Sequence, residues 1–86
     1  MSTPANELRG QILAMIEEIR REIAVLEGAR ARLEDTARRG REIKSDNQLM
    51  MDATGHLSFI TTDEINAIIQ RLEATIHALE DYASRL

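Results

Sequence analysis

No cysteine occurs in this chain, which removes disulfides, thiolate metal sites and cysteine nucleophiles together. Tryptophan is also absent, and one Tyr and one Phe are the whole aromatic content. That is thin for an aromatic-anchored core or a base-stacking surface. The single proline, Pro4, stands at the start of the sequence and interrupts nothing after it. No apolar run approaches the roughly 18 residues a membrane span needs, and the opening "MSTPANELRG" lacks the basic-then-apolar order of a signal peptide. A soluble, cytoplasmic protein with no membrane partner is the expectation.

What is present is charge and periodicity. Asp, Glu, Lys and Arg make up 30% of the 86 residues and net to -4, which disfavours general polyanion binding. The sign is uneven: residues 1–45 carry nine basic and eight acidic side chains, residues 46–86 two and seven. Arms of opposite sign favour antiparallel pairing. A chain this short makes one small domain that buries a modest fraction of its surface, so support from a second copy is expected.

The first arm opens at "STPANELRG", where Thr3 suits an N-cap and Pro4 the first helical turn. Ile12, Ile16, Ile19, Ile23, Leu26, Arg30, Leu33 and Ala37 then recur at alternating steps of four and three, the spacing of a coiled-coil seam broken only by Arg30. An arginine there snorkels to solvent, pairs with a neighbour, or fixes register at some cost in stability. The second arm repeats the pattern through Ile65, Ile69, Leu72, Ile76, Leu79, Ala83 and Leu86. Thr61 and Glu64 have the spacing of a capping box, and Ile60 and Ile65 that of a hydrophobic staple, so a helix start at 62 is expected. Folded antiparallel, the two seams pair at residue numbers adding to 98 or 99, such as Leu26 with Leu72 and Ile16 with Ala83.

The fold expected is therefore mainly α: an antiparallel helical hairpin of coiled-coil type, with helices over 4–39 and 62–86 and a connection over 40–61. Gly40, after Arg38 and Arg39, reads as a helix C-cap. Beyond it "QLMM", "DATG" and "HLSFI" form two β-prone runs around a type I turn signature, predicting a small β-hairpin over 48–60 with Leu49, Met51, Leu57 and Phe59 on one face. The competing arrangement runs the first helix on to about Lys44 and leaves an irregular loop. Leu13, Met15, Ile68 and Tyr82 widen the apolar faces beyond what two helices cover, which predicts a homodimeric four-helix bundle with these four at the oligomer interface. The order helix, β-hairpin, helix resembles, at the level of architecture, the small subunits of prefoldin-type chaperones.

Nothing here assembles into catalytic or cofactor chemistry. Aligning Gly55 with the glycine of a calcium loop puts Met50 at the first ligand position and Thr61 at the twelfth. His56 and His77 lack any paired-ligand spacing, and Glu17–Glu18, Glu34–Asp35, Asp63–Glu64 and Glu80–Asp81 are sequence neighbours whose side chains diverge on a helix. No catalytic residue, metal ligand or cofactor site is expected. The reading that follows is a non-enzymatic protein–protein interaction module (an adaptor, chaperone, inhibitor or regulatory subunit) whose tip residues Met50, Met51, Leu57 and Phe59 meet a partner protein. The alternative is a nucleic-acid-associated regulator using Arg38, Arg39, Arg41 and Lys44, although no stacking aromatics accompany that basic cluster.

Overall fold

The computed structural model describes residues 4–43 and 47–86. Two long helical arms form an antiparallel hairpin. Helix α1 runs Pro4–Glu42, and the returning arm is α2 (Gln48–Gly55), a π-helical segment His56–Thr61, and α3 (Thr62–Ser84). At 1.5 Å per residue the 39 residues of α1 span about 58 Å, and the hairpin measures 69 × 16 × 12 Å. Its radius of gyration is 19.5 Å, against about 12 Å for a compact domain of this length.

The seam forms as its spacing predicts. Ile12, Ile16, Ile23, Ile69, Ile76 and Ala83 are buried in one cluster, with Ile19, Leu26, Ile65, Leu72, Leu79 and Leu86 packed against it. Cross-arm hydrogen bonds report the register independently. The numbers of Arg41–Ser58, Arg30–Asn66 and Arg20–Glu80 add to 99, 96 and 100, close to the 98 to 99 read from the seam, and Arg9 reaches further along to the Ala83 carbonyl, a sum of 92. Arg30 does not snorkel alone; its guanidinium donates to the side-chain oxygen of Asn66 on the facing arm, a polar cross-link within an otherwise aliphatic stripe.

The tip differs from expectation in four linked ways. Residues 48–60 are helical and not a β-hairpin, so no strand occurs among the described residues and the likeness to prefoldin-type subunits loses its middle element. The turn signature Asp52–Gly55 misled because the inner residues of a type I turn have nearly helical angles. Here Gln48 donates to Asp52 at 2.7 Å, the Thr54 hydroxyl donates back to the carbonyls of Met50 and Met51 at 3.1 Å, and Gly55 sits at φ -65, ψ -43, in the helical region. Asn47 caps this helix, its side chain accepting from the Leu49 N–H at 2.8 Å.

Second, the capping box of Thr61 and Glu64 does not form, and the staple of Ile60 and Ile65 does not mark a helix start. Thr61 is helical at φ -65, ψ -42, whereas an N-cap needs extended backbone, and its side chain makes no capping bond. The neighbouring Thr62 is buried and donates to the Ser58 carbonyl at 2.6 Å, as a residue inside a helix does. Third, α1 continues past residue 39 to Glu42, closer to the competing arrangement, and Gly40 is no C-cap because no glycine has positive φ. Gly40 instead lets the arms approach: a Cβ there would lie 2.6 Å from Thr54 Cγ2. Fourth, alternation does not group the tip side chains. A straight continuation of the α3 seam from Thr62 would bring Ser58, Gly55 and Met51 inward. Ser58 and Gly55 are half-buried, but the π turn holds one extra residue and the inward face widens to include Leu57, Thr54 and Met50, while Met51 stays 56% exposed. The N-cap expected at Thr3 lies outside the described residues.

The close approach at Gly40 generates a paired test. Gly10→Ala, with open space around the added methyl, is expected to stabilise by up to about 1 kcal/mol through helix propensity. Gly40→Ala is expected to destabilise by about 1 kcal/mol or more through overpacking, and adding Thr54→Ser, which removes the obstructing methyl, should recover most of the loss in urea unfolding. Arg30→Leu should raise the urea midpoint by the equivalent of about 1 kcal/mol, since the polar cross-link at the seam displaces apolar packing.

Candidate interaction surface

Residues two apart on a helix diverge by about 200°, so Leu13 and Met15 straddle the seam and fall on opposite flanks of the hairpin. The cross-arm contacts show which flank of α3 joins each. Arg20, one heptad after Leu13, pairs with Glu80 at 3.2 Å, and Glu80 is itself two residues from Tyr82. Leu13 therefore shares a flank with Glu80, Glu73 and Asn66, while Met15 shares the other with Tyr82, Thr75 and Ile68. Of the four residues expected at an oligomer interface three share one flank, at 47%, 50% and 44% exposure for Met15, Tyr82 and Ile68, with Ile68 about 21 Å along the helix from Tyr82, and Leu13 lies on the other.

Followed in steps of seven, the Met15 flank reads Leu8, Met15, Glu22, Ala29 and Thr36 on α1 and Tyr82, Thr75, Ile68 and Thr61 on the returning arm, with Glu22 its one charged side chain. The Leu13 flank reads Leu13, Arg20, Glu27, Glu34 and Arg41 beside Glu80, Glu73 and Asn66. It is charged apart from Leu13 and Asn66, and closed across the seam by Arg20–Glu80 and Arg41–Ser58. The hairpin thus has one charged broad face and one apolar, nearly uncharged one. Leu13 and Met15 both flank the seam, and their two-residue spacing sets them on opposite sides of it. Leu8, seven residues before Met15, and Ala29, fourteen after it, carry the same signal.

At the tip the structure divides the expected contact residues. Met50 and Leu57 lean towards α1, while Met51 at 56% and Phe59 at 69% exposure face out, joined by Leu49 at 78%. An open groove lies beside them, lined by Gly40, Ile43, Met50, Met51 and Thr54. The basic residues are engaged close to home: Arg38 pairs with Asp35 and Glu42, Arg39 with Asp35 at 3.4 Å, and Arg41 donates to the Ser58 hydroxyl at 2.9 Å. Lys44 lies outside the described residues. Asp35 and Glu42 offset part of the charge of Arg38 and Arg39, while Arg41 has the neutral Ser58 hydroxyl as its partner.

For reaction chemistry the described residues offer little convergence. His77 Nδ1 stands 3.7 Å from Glu80 on an exposed turn, and no group of three or more His, Asp or Glu is placed to hold a metal ion among them. An open groove midway along the arms gathers Arg20, Glu73, His77 and Glu80 over Ile23 and Ile76. No described helix is long and apolar enough to cross a membrane. Comparisons with protein-family models, with curated proteins and with solved structures find no match for this chain.

Proposed function

We propose that this protein is a non-enzymatic protein–protein interaction module. In this reading the hairpin self-associates into a four-helix bundle, and the bundle presents its tip to a partner protein. The observation that carries the reading is the uncovered apolar surface. The chain exposes 6449 Å², where a compact domain of its 9.7 kDa mass would expose about 5,100 Å². Part of that excess lies on the Met15, Ile68 and Tyr82 flank, half-exposed in a single chain and suited to burial between two.

The tip is the second apolar region. Leu49, Met51 and Phe59 project from a π-containing stretch, and π turns inside helices recur at functional sites. Methionine and phenylalanine side chains there suit an adaptable contact with another protein. Two surfaces on separate parts of the hairpin allow self-association and partner contact to coexist.

Sedimentation equilibrium at micromolar concentration is expected to give twice the 9.7 kDa chain mass. A folded monomer under those conditions would remove the bundle from this reading. Met51→Ser with Phe59→Ser should leave the sedimenting mass and helix content unchanged while reducing capture of protein partners from a lysate of the native host at least tenfold. Equal capture by the variant would move the partner site away from the tip.

A further inference from the structure

The charge pattern around the Met15 flank specifies more than self-association. Resting on the dimer proposed above, we infer that two copies meet through this flank with their tips at the same end. Helix α1 of each then lies over α3 of the other. The occupant of the flank is a second copy of this chain.

Three observations converge on it. The first is apolar layering. The pairs Met15 with Tyr82 and Ala29 with Ile68 each have numbers adding to 97, so each pair sits at one level of the hairpin, with Glu22 and Thr75 between them. A two-fold axis parallel to the helices stacks each layer on its own copy without any sliding. A two-fold axis across the helices, which sends the tips to opposite ends, superposes the layers only when Met15 and Tyr82 lie over Ala29 and Ile68 of the other copy.

The second observation is Glu22, the sole charge on the flank. In the tips-opposed arrangement just described, Glu22 falls directly against Glu22 of the other copy, and like charges brought together in an interface oppose association. With tips together it lies instead over Thr75 of the other copy's α3. The third is one pair among the charges on the outer rims of the same face, which are Glu18, Arg32 and Arg39 on α1 and Glu64, Arg71 and Arg85 on α3. Arg32 on α1 and Glu64 on α3 are exposed and take no part in the ion pairs formed within the chain, unlike Arg20, Arg38, Arg39 and Arg85. With tips together, Arg32 of one copy lies about two residues along the axis, roughly 3 Å, from Glu64 of the other, and symmetry makes that pair twice. On the opposite broad face Glu27 and Glu73 take part in none of the chain's ion pairs, and the same stacking there would bring Glu27 of one copy level with Glu73 of the other.

The arrangement is read directly by a distance. The chain has no cysteine, so Asp52→Cys on the exposed tip accepts a single spin label per copy. Double electron–electron resonance is expected to give one distance below about 35 Å, from two tips side by side at helix-packing separations. A distance beyond about 55 Å would overturn the tips-together arrangement and leave the dimer standing, since opposed tips lie a hairpin length apart. Absence of dipolar modulation in fully labelled protein would overturn the dimer itself, and this inference with it. Independently, Arg32→Glu is expected to raise the dimer dissociation constant about tenfold, and Arg32→Glu with Glu64→Arg to return it to within threefold of the native value. Failure of the second change to rescue the first would overturn the pairing, and Leu13→Glu, on the other face, should leave the constant unchanged.

Discussion

Everything in this molecule hangs from one aliphatic seam. Isoleucine and leucine at four-and-three spacing on α1 meet their counterparts on α3, and with no disulfide and almost no aromatic mass this contact supplies the main apolar burial of the stem. Because the seam is narrow it aligns the two arms without enclosing a core. That limit explains the shape, a rod of 69 Å in its long dimension, and explains why apolar side chains beside the seam remain partly in water. The Arg30–Asn66 contact sits towards the tip end of the stripe, beside Ile65. Aliphatic side chains tolerate sliding by a heptad, whereas a donor and an acceptor facing each other at one level do not, so this polar pair fixes where along the seam the arms stop.

The same seam sorts the two broad faces. A helix that devotes one stripe to its partner has two flanks left, and here they carry different chemistry: ion pairs and acidic groups on one, aliphatic, aromatic and hydroxyl side chains on the other. The proposed dimer uses that asymmetry. Two flat faces of unlike character give a two-fold assembly only one way to remove its apolar surface, and a single glutamate within the apolar face is enough to choose between the two symmetric orientations. Tips at one end would place two copies of Leu49, Met51 and Phe59 near each other, so a partner would meet a doubled apolar surface.

How much of this was legible beforehand divides at Thr62. The stem was: four-and-three spacing marks a seam, and constant residue sums give its register, because both depend only on helical period and chain direction. The tip was not. The stretch "DATG" satisfies a type I turn and a turn of helix equally well, since local backbone angles nearly coincide there. The choice was made by tertiary context, with α1 running on to Glu42 and offering Gly40 as a surface close enough for Thr54 to approach. Thr61 and Glu64 likewise had a start signal's spacing, but a cap requires the chain to leave the helix, and a continuing helix on the other side removes the need. The π turn had no sequence signature of its own; its effect, the inward turn of Met50, Thr54 and Leu57, follows only once the helix is known to be unbroken. The sidedness of Leu13 and Met15 was readable from spacing, and the cross-arm partner of Arg20 was needed to say which side was which.

The π segment separates the tip from the stem in a way that bears on how such a protein diversifies. An insertion or deletion of one residue in a continuous heptad hairpin rotates everything beyond it by about 100° and spoils the seam. Here that rotation has already been absorbed within His56–Thr61, just where the buried isoleucines end, so the stem keeps its phase whatever the tip's phase becomes. Descendant sequences can therefore gain or lose a residue at this point and present a new set of tip side chains, while the seam of the stem is inherited unchanged.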